Sequence, residues 1–147
     1  MQMLSYVSES LIPAADRSAA IRQLMVVAQE RNASLGVSGV LYLRGNVFFQ
    51  TLEGPESAIQ EVFGRIIEDP RHHSLCLLIN KPIEKPRFSG WSLECFHEPS
   101  SEYDYLSTLE DIDHYFRDEA QFSTENVYAF FEEMALALEP YRLQKAS

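Results

Sequence analysis

The first 96 residues predict an α+β domain whose strands and helices follow one another in the order βαββαββ. Three observations carry that expectation. Short runs of alternating apolar and polar residues recur along the chain, most of them closed by Gly, Pro or Asn. Two longer segments between them repeat apolar residues at the three-and-four spacing of a helix with one covered face. The length of 147 residues suits one such domain with its own core, and 46% hydrophobic with 23% charged residues describe an ordinary globular chain.

Met3 to Ser8 alternates, with Leu4, Tyr6 and Ser8 on one face, and makes a first strand. Pro13 and Asp16 introduce a helix running to about Asn32, whose stripe of Ile21, Leu24, Met25 and Ala28 covers a sheet. Gly36 and Gly39 bracket the start of a second strand, Val37 to Arg44. Arg44-Gly45-Asn46 is a short hairpin turn that returns the chain through Val47 to Leu52. Gly54-Pro55-Glu56 opens a second helix, with proline near its first position and an acid beside the positive end of the dipole. That helix buries Ile59, Val62, Phe63 and Ile66 and stops at Asp69-Pro70. Leu75 to Asn80 is a fourth strand, and a fifth runs from about Phe88 to Phe96. The order implies a ferredoxin-like sheet with both helices on one face.

Glu98-Pro99-Ser100-Ser101 reads as a linker between a domain at 1–96 and an extension at 97–147. Leu106, Leu109, Ile112 and Phe116 form one helical stripe there, and Val127, Phe130, Phe131, Met134 and Leu138 another. Two such C-terminal helices fit a cap on the open sheet face or an oligomer interface. The net charge of −10 is concentrated in them: residues 1–96 hold 9 Lys and Arg against 10 Asp and Glu, whereas 97–147 hold 3 against 12. An acidic extension repels phosphate backbones, which argues against nucleic acid and is compatible with a basic protein partner or with solubility alone. No apolar run approaches the roughly 20 residues of a membrane span, and the N-terminus has no signal-peptide layout, so a cytoplasmic protein without a membrane is expected. Cys76 and Cys95 fall in strands without metal-ligand spacing and read as reduced, strand-packed thiols.

Several polar residues fall where the pattern points inward. Gln50 shares a strand face with Phe48 and Leu52, and a buried carboxamide costs roughly 1–3 kcal/mol when unpaired, so it requires a partner. Asn32 continues the buried stripe of the first helix at its last turn. Arg65 and Asp69 are spaced as a surface pair on the second helix, in the weaker base-before-acid orientation. Arg71-His72-His73 reads as loop decoration, and no third ligand is spaced to make a metal site with the two histidines. Tyr6, Asn32, Gln50, Arg65 and Asp69 could line a groove that takes a flat heterocycle with a polar tail, or simply satisfy backbone groups.

Arg31-Asn32, then Gly36-Val37-Ser38-Gly39, Phe49-Gln50-Thr51-Leu52-Glu53-Gly54, Arg65-Ile66 with Asp69-Pro70-Arg71-His72, and Trp91-Ser92 resemble, in that order and spacing, the BLUF family of blue-light sensors using FAD. The resemblance covers about residues 1–96. It implies non-covalent FAD between the two helices, the choice of FAD over FMN being an inference from the family. Tyr6 is implied as electron donor to the excited flavin and Gln50 as the hydrogen-bond relay. Asn32 is implied to bind the pyrimidine edge, with Arg65, Asp69, Arg71 and His72 holding the pyrimidine side or the ribityl-phosphate tail. Ser8 is implied near Gln50 or Trp91. Light then leaves Gln50 rotated or tautomerised and the absorption band shifted to the red.

Leu93 stands where the family commonly has methionine, and leucine has no sulfur to accept a hydrogen bond from Gln50. The relay then exits through Trp91 and the fifth strand, or its coupling to the output is altered. Ser38 replaces a usual threonine. Arg31 stands where some members place an amide or histidine beside the flavin, and the resemblance implies that its guanidinium either reaches a ring carbonyl of the cofactor or is solvated. With no cyclase or phosphodiesterase expected on a chain of this length, the resemblance implies a sensor rather than an enzyme. It would act on a protein partner or on itself through 97–147, as a homo-oligomer. The readings from other classes are a light-independent binding module of the same fold and an acylphosphatase-like hydrolase, the latter lacking a glycine-rich anion loop.

Overall fold

The computed structural model describes residues 1–97 apart from Gly45 and Trp91. Its elements are β1 (Gln2–Ser10), a 3-10 turn (Ala14–Asp16) leading into α1 (Arg17–Leu35), β2 (Ser38–Arg44), β3 (Val47–Gly54), α2 (Glu56–Glu68), β4 (His72–Pro82) and β5 (Glu94–His97). The sheet runs β4-β1-β3-β2-β5. β1 lies antiparallel to both β3 and β4, and β2 lies antiparallel to β3. Each helix therefore joins two parallel strands that have a third strand inserted between them, which is the interleaved ferredoxin-like arrangement expected.

The helices form where the apolar spacing places them. α1 buries Ile21, Met25, Ala28 and Asn32, and α2 buries Ala58, Ile59 and Val62. Two core clusters result. One gathers Ile21, Met25 and Ala28 with Leu41, Leu43, Phe48 and Leu93; the other gathers Leu4, Tyr6 and Leu52 with Ile59 and Val62. α1 continues one turn past Asn32, because Ala33-Ser34-Leu35 are compatible with helix and the stop comes only at Gly36. Gly36 has φ +71°, and the N–H of Val37 donates to the Asn32 carbonyl at 2.8 Å, a left-handed C-cap that costs glycine little.

Strand limits differ from expectation for physical reasons. β1 and β4 pair over nearly their whole lengths, with irregularities between Ser5 and Tyr6 and between Val7 and Glu9, so both are longer than their alternating cores. β5 begins at Glu94 rather than Phe88. Phe88 is wholly buried, yet its N–H goes to the Glu53 carboxylate instead of a strand neighbour. Cys76 is exposed on β4 instead of packed, and Cys95 is half-buried; both are free thiols. The expected linker and two C-terminal helices lie outside the described residues. Among the described residues no helix is long and apolar enough to cross a membrane.

Gly39 faces Leu52 across the β2–β3 ladder, and a Cβ there would sit 2.3 Å from the Thr51 carbonyl oxygen and 3.3 Å from Leu52 Cα. Backbone atoms in a central ladder cannot step aside. Gly64, in the middle of α2, would meet nothing within 4 Å. Gly39→Ala is expected to lower the unfolding free energy by about 2–3 kcal/mol, and Gly64→Ala to raise it by about 0.5–1 kcal/mol. Urea titrations of the two variants check this by midpoint shifts of opposite sign.

Candidate functional site

Alternation along β1 and β3 sends Tyr6 and Gln50 to the side of the sheet that the helices cover, and the register sets them directly opposite one another. The Tyr6 hydroxyl donates to Gln50 Oε1, and both residues are buried. Burial drives the phenol well above its ordinary range and the nearby Asp69 charge adds to that, so Tyr6 stays a neutral donor. Within the described residues this is the hydrogen bond of the Gln50 side chain, whose amide also lines an open groove.

The Tyr6 ring is flanked by Phe63, with centroids 5.9 Å apart, and by the edge of His72 at 6.2 Å. His72 is not surface decoration. Nε2 lies 2.6 Å from the Ile66 carbonyl, which can only accept, so that nitrogen carries the proton. In the neutral ring Nδ1 then accepts from the Ser8 hydroxyl at 2.7 Å. The ring thereby ties β1, the last turn of α2 and the start of β4 together, and directs Ser8 toward His72 rather than Gln50.

α1 brings a second set. Asn32 is 1% exposed, and its Nδ2 donates to the Ser92 carbonyl at 3.0 Å. Asn32 Oδ1 is buried without a partner among the described residues, as is Arg31 Nε. Arg31 is half-buried rather than solvated. Burial pushes its guanidinium down from the ordinary value; repulsion from Arg65 and more weakly Arg71 adds to that, against the pull of Asp69 and Glu61. Gln29, one turn before Asn32, donates from Nε2 to the Leu93 carbonyl at 2.8 Å. Gln29 escaped the sequence reading, although a polar residue four after buried Met25 was a usable signal.

Arg65 and Asp69 do not pair. Asp69 instead accepts from Arg71, through the backbone N–H at 2.9 Å, Nε at 2.9 Å and Nη2 at 2.7 Å. The loop after α2 turns Arg71 back onto a carboxylate two residues away, a geometry that helical spacing does not anticipate.

The groove between the helices has about 700 Å³ of free space, its open mouth included. Tyr6, Leu41, Phe48 and Gln50 line it from the sheet, Ala28 and Asn32 from α1, and Val62 and Ile66 from α2. Arg31, Arg65, Asp69, Arg71, His72 and Leu93 also line it, with Leu24 and Val27 of α1. Thus the structure gathers nine of the eleven sequence-chosen residues in one groove, puts Ser8 behind His72, and leaves Trp91 outside the described residues. Among the described residues no three His, Cys, Asp or Glu side chains converge as a metal site would require. Apolar walls, an unpaired amide oxygen and three guanidinium groups against one carboxylate suit a flat ring system with an anionic tail.

The family model described as BLUF, sensors of blue-light using FAD, matches residues 1–94. The blue light- and temperature-regulated antirepressor BluF of Escherichia coli is 34% identical over 52% of this chain and 19% of its own length. Photoactivated adenylate cyclase subunit beta of Euglena gracilis is 31% identical over 68% of this chain and 12% of its own. The chain thus spans less than a fifth of these curated relatives. The dark-state structure of BlrB, a BLUF protein, is 29% identical with a TM-score of 0.76 over 94% of this chain and 96% of that one. The photo-activated structure of BlsA is 26% identical with a TM-score of 0.75 over 92% and 95% of the two chains.

Burial alone raises the Asp69 carboxyl, but its hydrogen bonds from Arg71 and that residue's charge outweigh burial and hold it below the ordinary carboxylate value. A depressed folded value means that stability from this pair is complete above about pH 4 and is lost as pH falls through the lower folded value. Carbon-detected NMR titration is expected to find Asp69 below a model carboxylate in the native protein. In Arg71→Gln the same carboxyl should move up, to the ordinary value or past it.

Proposed function

The chain belongs to the BLUF family of sensors of blue light using FAD, and from that premise we propose that its signal is a hydrogen-bond rearrangement at Gln50. The observation that carries this reading is the Tyr6 hydroxyl donating to Gln50 Oε1 where both residues line the groove. Bound FAD supplies the absorption of blue light and an excited ring that takes up an electron.

The residues fit that group. Asn32 Oδ1 is an orphaned buried acceptor suited to an N–H on the ring edge, since its Nδ2 is already committed to Ser92. Arg31, Arg65 and Arg71 give the groove the positive character that a phosphate-bearing tail needs, while Asp69 orients Arg71 and His72 backs Tyr6. Tyr6 is the oxidisable side chain, and its buried phenol loses its proton readily only when it has lost an electron. That proton has an acceptor in place at Gln50 Oε1. Return of both the electron and the proton to Tyr6 leaves the Gln50 amide rotated or tautomerised, which a planar group with both a donor and an acceptor end permits.

The output is assigned to altered protein–protein contacts through residues 97–147, with a protein partner or a second copy of the chain, and not to catalysis by this domain. Two named relatives, an antirepressor and an adenylate cyclase subunit, support a sensor whose output is set outside residues 1–94.

Purified protein is expected to be yellow and to show a red shift under blue light that reverses in the dark. Tyr6→Phe and Gln50→Ala should each keep the flavin and lose that shift; a normal shift in either variant would sink the relay. Leu93→Met should alter dark recovery, because it returns a thioether acceptor to a position that lines the groove. Unchanged recovery together with unchanged partner binding would take residue 93 out of the signal path.

A further inference from the structure

Glu53 lies on β3 three residues beyond Gln50 and therefore on the opposite face of the sheet. It is 1% exposed. Taking a carboxylate out of water is costly, so a buried one calls for a specific reason. Oε2 accepts two consecutive backbone N–H groups, from Arg87 at 2.7 Å and from Phe88 at 3.1 Å. Those donors sit in the irregular connection between β4 and β5, where no strand pairing takes them. Burial raises the Glu53 carboxyl and the two N–H bonds oppose it.

The same connection is held at its other end by α1. Asn32 takes the Ser92 carbonyl and Gln29 takes the Leu93 carbonyl. Leu93, 1% exposed, lines the groove together with Gln50. One stretch of chain thus begins fixed to the back of β3 and ends against the front of it. Side chains rather than a ladder fix both ends. Phe88, with no exposed surface, packs at the Glu53 end, so a shift at Ser92–Leu93 cannot be absorbed by an empty space there.

We propose that Glu53 is a positioning residue for signal transfer: through the Arg87 and Phe88 N–H groups it holds the β4–β5 connection so that a change at Leu93 in the groove is delivered to the far face of the sheet. The inference rests on the sensor reading above and adds to it a route that does not depend on a methionine at position 93. Rearrangement of the Gln50 amide alters what Leu93 packs against. Ser92 and Leu93 shift, and the strain falls on the two hydrogen bonds at Glu53.

The test is hydrogen exchange of the full-length, flavin-loaded protein in darkness and under blue light, followed at Arg87 and Phe88, with the flavin absorbance recorded on the same samples. In the native protein these two amides should exchange about tenfold faster in the light, the effect of weakening one charge-assisted hydrogen bond. Glu53→Ala should exchange fast at both amides in darkness, show no further light effect there, and still give the red shift. Glu53→Gln, whose amide oxygen can accept both N–H groups, should restore slow dark exchange and the light-dependent difference. A normal red shift with no light-dependent difference at Arg87 and Phe88 in the native protein overturns this inference and leaves the photochemical reading standing. The same holds if Glu53→Ala keeps that difference. An absent red shift in the native protein overturns both. The native comparison requires no variant, so the outcome is decided even if Glu53→Ala does not fold.

Discussion

The register of β1 against β3 is the constraint on which the rest of the molecule depends. β3 is flanked by β1 and β2 and buried on both faces from Phe48 to Gly54, yet it carries Gln50 on one face and Thr51 and Glu53 on the other. Each of these polar groups needs a partner brought by a neighbouring segment. Tyr6 meets Gln50, the Ser5 hydroxyl donates to Thr51 Oγ1 at 2.9 Å, and the backbone at Arg87 and Phe88 meets Glu53. A slip of one residue would turn Tyr6 to the wrong face and strand Gln50 and Thr51 together, a penalty of several kcal/mol. The apolar alternation and the polar pairs therefore enforce the same alignment.

Much of this was readable in the chain. Strand alternation located Tyr6 and Gln50 on one face, and helix spacing turned Asn32 inward, because those facts depend on local periodicity alone. What periodicity cannot supply is the choice of partner among residues distant in sequence. Asp69 looked paired with Arg65 by helical spacing, but the loop that follows α2 delivers Arg71 to it with better geometry. His72 looked like loop decoration because nothing local reveals that β4 begins there and tucks the ring beneath Ile66. Phe88 looked like strand because it is apolar and buried, whereas its N–H is satisfied by a side chain. Glu53 was legible as part of a motif, and its role as an acceptor for a remote connection was not.

Electrostatics sharpens what the groove will take. Three guanidinium groups face one carboxylate, and that carboxylate is already committed to Arg71. Arg31 registers the imbalance, its affinity for a proton reduced first by burial and then by Arg65. An anion placed among them relieves repulsion and pairs with groups whose geometry suits phosphate oxygens. A neutral tail would leave that repulsion in place.

The two apolar clusters described above both contribute to the lining of the groove. Leu41, Phe48, Ala28 and Leu93 come from one, and Tyr6 and Val62 from the other. A flat apolar ring lying between them would touch both and act as a keystone of the core as well as its chromophore. Occupancy and folding are then thermodynamically linked: ligand that binds only the folded chain raises the unfolding free energy by RT ln(1 + [L]/Kd). The affinity that keeps a light sensor coloured in the cell is, by that linkage, also a reserve of stability on which a small domain with a polar-lined cleft can draw.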